Sequence, residues 1–182
     1  MAETNISLEE AVKIGIREGI KYIKEQEYRK TTKRYDRRLR NTKLLLKHFR
    51  ALYEHNNITE NTTIKIFKEN AVDILDDIEA IDDEEQYVQA LSRTKIRTLI
   101  MVEHINKACR YYKTICESED KAKERRYKII NYMYLDLSLE TVPTYEQVAE
   151  HFNITIKTVG RDVKSAINDL SILLFGIDGI RL

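Results

Sequence analysis

Glycine and proline are scarce: five glycines and one proline in 182 residues, with no tryptophan at all. So few breakers argue for long helices and few turns. No apolar run approaches the ~20 residues that a membrane span needs, and the first residues lack the pattern of a signal peptide. The chain is therefore expected to act in the cytoplasm, away from membranes. Only two cysteines are present, Cys109 and Cys116. Seven residues apart in one predicted helix, they share a face but stand two turns, roughly 10 Å, from each other, too far for a disulfide. His104 lies nearby and raises a metal site as one reading. Buried free thiols of a cytosolic protein are the better one, and no metal or cofactor is expected.

Catalytic signatures are missing too. The chain has no GxSxG, no HExxH and no P-loop. His48, His55, His104 and His151 are scattered, and Asp76 and Asp77, adjacent on a helix, point about 100° apart. An enzyme is not expected.

What the chain does have is charge, on 34% of its residues, and the net value of +1 hides strong segregation. Residues 29–50 carry Lys30, Lys33, Arg34, Arg37, Arg38, Arg40, Lys43 and Lys47, with Asp36 as the sole acid. Residues 69–85 carry nine acids and no base. From Arg93 to Lys128 the balance is basic again. A neutral total thus leaves a nucleic-acid partner open, because distribution decides.

Hydrophobic periodicity fills the chain with helices and shows no strand. A first helix is expected from Ser7, with Leu8, Val12, Ile16, Ile20 and Ile23 as its apolar stripe. A second runs from about Tyr28 to His55, with Tyr35, Leu39, Thr42, Leu46, Phe49 and Tyr53 as a heptad-like seam. Asn56-Asn57 makes a turn. Ile64, Phe67, Ala71, Ile74, Ile78 and Ile81 line an acidic helix that Asp82-Asp83 ends. Val88, Leu91, Thr98, Val102, Ile105, Cys109, Tyr112 and Cys116 line a helix of about 30 residues. After a restart at Ser118 or Asp120, Tyr127, Ile130, Tyr134 and Leu137 form a helix behind the last segment. The seams allow burial within one chain, the favoured reading, or a coiled-coil homodimer. The basic helix allows two readings as well. Arg34, Arg37, Arg38 and Arg40 grip DNA phosphates, or, as favoured, they pair with the acidic helix.

The most informative stretch is TYEQVAEHFNITIKTVGRDVKSA, residues 144–166. Pro143 forces Val142 into an extended conformation, and Thr144 with Gln147 has capping-box spacing. Val148, Ala149 and Phe152 form a buried face, and Asn153 suits a left-handed turn position. Thr155 caps a second helix that buries Val159, Val163, Ala166 and Ile167. That leaves Ile156, Lys157, Gly160, Arg161 and Lys164 outward, with the three cations in one stripe. This is the pattern of a helix-turn-helix whose second helix enters a major groove. Thr155, Lys157, Thr158, Gly160, Arg161 and Lys164 are the candidate DNA contacts. Arg161 is the candidate for a guanine, since its fork reaches O6 and N7 together. Arg34, Arg37, Arg38, Arg125 and Arg126 are candidate secondary phosphate contacts. Gly160 costs about 1 kcal/mol inside a helix. It either admits DNA backbone closely or does no reading.

TYEQVAEHFNITIKTVGRDVKSAINDL resembles region 4 of sigma-70-type factors, the part that reads an upstream promoter element. LSILLFGIDGI and YDRRLRNTKLLLKHFRALYEH resemble phage and mobile-element transcription regulators of the ArpU and RinA type. The likeness covers the last third and Tyr35 to His55; a basic residue is commoner in that family where Gly160 stands. It implies a sigma-like activator of late genes, with double-stranded promoter or operator DNA and host RNA polymerase as partners. No aromatic-rich segment for promoter melting is present, so recruitment of the host holoenzyme is the favoured mechanism over service as a sigma subunit. The expected architecture is all-α: an elongated helical bundle or hairpin arm over residues 1–117, then a helix-turn-helix domain over 118–182. The alternative from another class is a helical packaging protein such as a terminase small subunit.

Overall fold

From Ile20 to Lys47 the chain contains no glycine and no proline, and nothing there can stop a helix. In a computed structural model, which describes residues 8–56, 71–91 and 95–176, α1 accordingly runs unbroken from Leu8 to Lys47. This corrects the expected division into two helices near Tyr28. Lys24, Glu25, Gln26 and Glu27 are strong helix formers, and Thr31 and Thr32 donate their hydroxyls back to the Glu27 and Tyr28 carbonyls. At 40 residues, α1 is about 60 Å long. Its expected cap Ser7 lies outside the described residues.

The helix is interrupted at His48, and α2 follows as Phe49–Asn56. Helical bonding bridges the break: His48 N donates to Leu44 O and Leu52 N to His48 O, both at 3.0 Å. The expected turn residue Asn57, and the seam residues Ile64 and Phe67, lie outside the described residues. The acidic segment forms two short helices, α3 (Ala71–Ile78) and α4 (Glu84–Leu91). Asp83 starts α4 by accepting from Gln86 N at 2.9 Å, so the Asp82-Asp83 break is as expected. The third seam is carried by α4 and by α5 (Lys95–Ser118), and residues 92–94 between them lie outside the described residues. Asp120 caps α6 (Lys121–Ile130) by accepting from Lys123 N. The expected continuation to Leu137 does not hold. After α6 comes a single π-helical stretch, Asn131–Leu135, and Leu137 is exposed. Last come α7 (Tyr145–Phe152) and α8 (Ile156–Phe175). The fold is all-α, with no strand among the described residues.

The seams account for the core. Thr42, Leu46 and Phe49 are buried, and so are Leu91, Thr98, Val102, Ile105, Cys109, Tyr112 and Cys116. α8 packs on α1, α5, α6 and α7, bringing Val163, Ala166, Leu170 and Leu174 into the same continuous cluster as Leu45, Ile105 and Ile129. The expected boundary at residues 117 and 118 thus falls inside one core. The early stripe behaves differently: Val12, Ile16, Ile20 and Ile23 are all at least half exposed, because no other described element comes back to cover them.

Segregated charge meets its complement across the bundle. Arg34 and Arg38 face Glu79 at 3.5 and 3.6 Å, and Arg40 bonds Asp82 at 2.6 Å. Lys47 and His48 share Glu84 at 2.6 and 2.9 Å. Arg50 acts differently, on backbone: its guanidinium donates to the carbonyls of Asp136, Met133 and Tyr132 at 2.8, 2.7 and 3.3 Å. Those bonds satisfy carbonyls released where the π-helical stretch ends. They tie α2 to the segment that leads into α7.

Candidate nucleic-acid interface

α7 starts and stops where local chemistry requires. Thr144 N donates to Gln147 Oε1 at 2.8 Å, and Gln147 N to Thr144 Oγ1 at 3.3 Å, a complete capping box. Asn153 ends the helix at φ 52°, ψ 51°, the only described non-glycine residue with positive φ. Ile154 N then donates back to Ala149 O at 2.9 Å. Thr155 starts α8 by accepting from Thr158 N at 3.1 Å. The two helices are thus joined by the short turn 153–155. Val148 and Ala149 of α7 and Val159 and Val163 of α8 are buried, while Phe152 and Ile167 are partly so.

On the opposite side of α8, Lys157, Arg161 and Lys164 are exposed together. Spacings of four and three residues set them along one face. Ile156 is also exposed, at 49%. Asp162 is the sole acid between residues 154 and 168, and it points inward, at 1% exposure. Arg125 of α6 donates from Nε to Asp162 Oδ2 at 2.8 Å, and Arg126 Nε lies 3.8 Å from Oδ1. Over residues 154–168 the exposed charges of α8 are therefore all positive.

Several expected contacts are placed otherwise. Gly160 is only partly exposed, and a Cβ on it would lie 3.6 Å from the Tyr145 ring. It looks toward α7, so close approach to an external backbone is not what it serves. The Thr155 and Thr158 hydroxyls are 2.9 Å apart and engaged with each other. Arg38 cannot reach a phosphate. It is 2% exposed, donates to Phe175 O at 3.3 Å, stacks 5.3 Å over the Phe175 ring and faces Glu79. Arg34 pairs with Glu79, Arg37 is partly exposed, and Arg125 and Arg126 are turned to Asp162.

Two features escaped the sequence. Asp162 was not singled out, although an acid beside Arg161 in a basic stripe is a signal that its side chain belongs elsewhere. The second feature lies behind α7, where Tyr132 stacks on His151 with ring centroids 4.1 Å apart and planes within 6°. Beside this pair opens a cleft of about 440 Å³ lined by Glu140, Gln147 and Glu150 among others. Its carboxylates make it unlike the face of α8. Cys109 and Cys116 are buried free thiols, and burial pushes Cys109 up to about 12. His104 Nε2 lies 3.0 Å from Leu174 O. Among the described residues no group of three His, Cys, Asp or Glu is arranged to hold a metal ion.

Comparison of the chain with protein-family models, with curated proteins and with solved structures finds no match.

Proposed function

We propose that this protein is a sequence-specific DNA-binding transcriptional regulator whose α7 and α8 act as a helix-turn-helix, with α8 as the reading helix. The observation that carries this reading is the outward row Lys157, Arg161 and Lys164, with the single nearby acid withdrawn into the interior. In it Lys157 and Lys164 hold phosphates, and Arg161 bonds a guanine edge bidentately. The exposed Ile156, at the start of α8, suits a thymine methyl. The likeness of 144–170 to sigma region 4, and of 35–55 and 170–180 to ArpU- and RinA-type regulators, extends the proposal to late-gene activation in a phage or mobile element. There the protein recruits the host polymerase.

The test combines genome-wide footprinting with a panel of single-base variants of the strongest site. Arg161→Ala should relax preference at one base pair, a loss of about 1–3 kcal/mol of discrimination, while non-specific affinity stays nearly intact. Arg161→Lys should restore attraction but not base choice, for want of the planar fork. Equal weakening on every variant would reduce Arg161 to a backbone clamp. Absence of discrete sites, with rings of many subunits on DNA, would favour the packaging reading instead.

A further inference from the structure

The first half of α1 is an arm. Between residues 9 and 31 every described side chain except that of Gln26 is exposed. Seven of the thirteen exposed large hydrophobic side chains among the described residues lie there: Val12, Ile14, Ile16, Ile20, Tyr22, Ile23 and Tyr28. Among the described residues, ties from this helix to the rest of the bundle are seen from Arg34, which faces Glu79, and Tyr35, whose hydroxyl donates to Asn168 of α8. A lone helix is marginal in water, and most of the stability of protein helices comes from covering an apolar face. Val12, Ile16, Gly19 and Ile23 recur at spacings of four, three and four, the pattern of a two-helix seam. Beside this seam, a Cβ built on Gly15 or Gly19 meets nothing within 4 Å, so the notch there is open.

We propose that the occupant is a second copy of this chain and that the two arms pair antiparallel. The charges flanking the seam select this arrangement. Lys13, Ile20 and Glu27 follow one another at seven-residue intervals along one side of it. In an antiparallel pair each flank meets the same flank of the other copy. Placing Ile20 on the two-fold axis then sets Lys13 against the partner's Glu27, and this happens twice by symmetry. The same register sets Ile23 near the partner's Gly19, a large side chain into a notch. Parallel pairing does the reverse. It aligns the exposed Lys30 and Lys33 with their own copies, and like charges at that range repel. It also crowds both bodies at one end. Antiparallel arms hold the bodies apart: from Ile20 to Tyr35 is about 22 Å of helix, so the bodies begin roughly 45 Å from each other. Within one chain Lys13 bonds Glu9 at 2.7 Å, but both side chains are largely exposed. Such a pair contributes little and yields readily to another partner.

Analytical ultracentrifugation of the full chain across a concentration series should show a monomer–dimer equilibrium, and Ile16→Asp with Ile23→Asp should abolish the dimer. Both changes lie on the exposed arm, so an unaltered melt of the body distinguishes lost pairing from lost folding. Lys13→Glu and Glu27→Lys should each weaken the dimer, by about three- to tenfold, and the two together should restore it. A spin label on Lys33→Cys reads the direction: roughly 39 Å between labels for antiparallel arms, against about 10 Å for parallel ones. The buried native thiols leave that label site-selective. A chain that stays monomeric at every concentration overturns the proposal, the more so if that monomer adsorbs to anionic phospholipid vesicles. A short label distance, or a double charge swap that fails to restore the dimer, overturns the antiparallel register.

Discussion

Asp162 gives the sharpest test of how the interior supports the outer face of α8. Asp162→Asn keeps the volume and one acceptor, so Arg125 retains a hydrogen-bonding partner, and only the charge is removed. Hydrogen bonds to a charged group contribute about 1.5–3 kcal/mol, against about 0.5–1.5 for neutral pairs. Stripping one partner from a fully buried ion pair costs about 3–5 kcal/mol. Here the arginine side chains remain 32% and 26% exposed and can turn to water, so the upper figure does not apply. The expected loss is about 1–2 kcal/mol for Asp162→Asn, read by urea denaturation with far-ultraviolet circular dichroism. That corresponds to a drop of roughly 2–8 °C in Tm for a chain of this size. DNA binding should move the opposite way. The substitution adds one net positive charge beside α8, so non-specific affinity should rise and its dependence on salt should steepen. The two readouts have opposite signs, and no general loss of folding produces that combination. If Asp162→Asn leaves stability unchanged and instead loses preference at one base pair, Asp162 is reading a base, and the inward placement argued above fails.

Three further outcomes follow from other parts of the molecule. Gly160→Ala should stabilise the protein by about 0.5–1 kcal/mol by thermal or urea melt, since its Cβ meets Tyr145 at an ordinary 3.6 Å, and should leave DNA affinity alone. A fragment of residues 1–117 should melt without cooperativity in calorimetry, because it lacks Val163, Ala166, Leu170 and Leu174, which complete the core. In the folded chain the hydrogen bond from Lys47, then that from His48, holds the Glu84 carboxyl below the usual glutamate range. Its contribution is therefore present above that range and lost as pH falls through the lowered value. Glu84→Gln should flatten that part of the acid limb of the stability–pH profile.

Signals that act over three or four residues were legible in the sequence. Thr144 with Gln147, Asn153 and Thr155 each sit where the sequence put them, because caps and left-handed turns depend on a side chain and its own backbone. The pairing of the basic and acidic segments was legible too, since opposite charge runs in one bundle have a reason to meet. The interruption at His48 and the π-helical stretch after Ile130 were not. Those depend on how neighbouring helices cross, and Arg50 completes the second from a distance in sequence of more than 80 residues. The proposed reading face was half legible. Lys157, Arg161 and Lys164 follow from periodicity, whereas the inward turns of Gly160 and Asp162 require knowing that Tyr145 and Arg125 stand on the other side.

The two halves of α1 show why periodicity stops short of a fold. The seam of Thr42, Leu46 and Phe49 and the stripe of Ile16, Ile20 and Ile23 use the same spacings. A hydrophobic repeat names the face that needs covering and is silent on what covers it. The C-terminal half is covered because α8 returns to it, with Asn168 at Tyr35 and Phe175 over Arg38. Among the described residues nothing returns to the N-terminal half. The stripe there has the composition of an interior and the position of a surface. Among the described residues that combination leaves apolar area in water at about 25 cal/mol for each Å², and it is relieved only by a contact that those residues do not make.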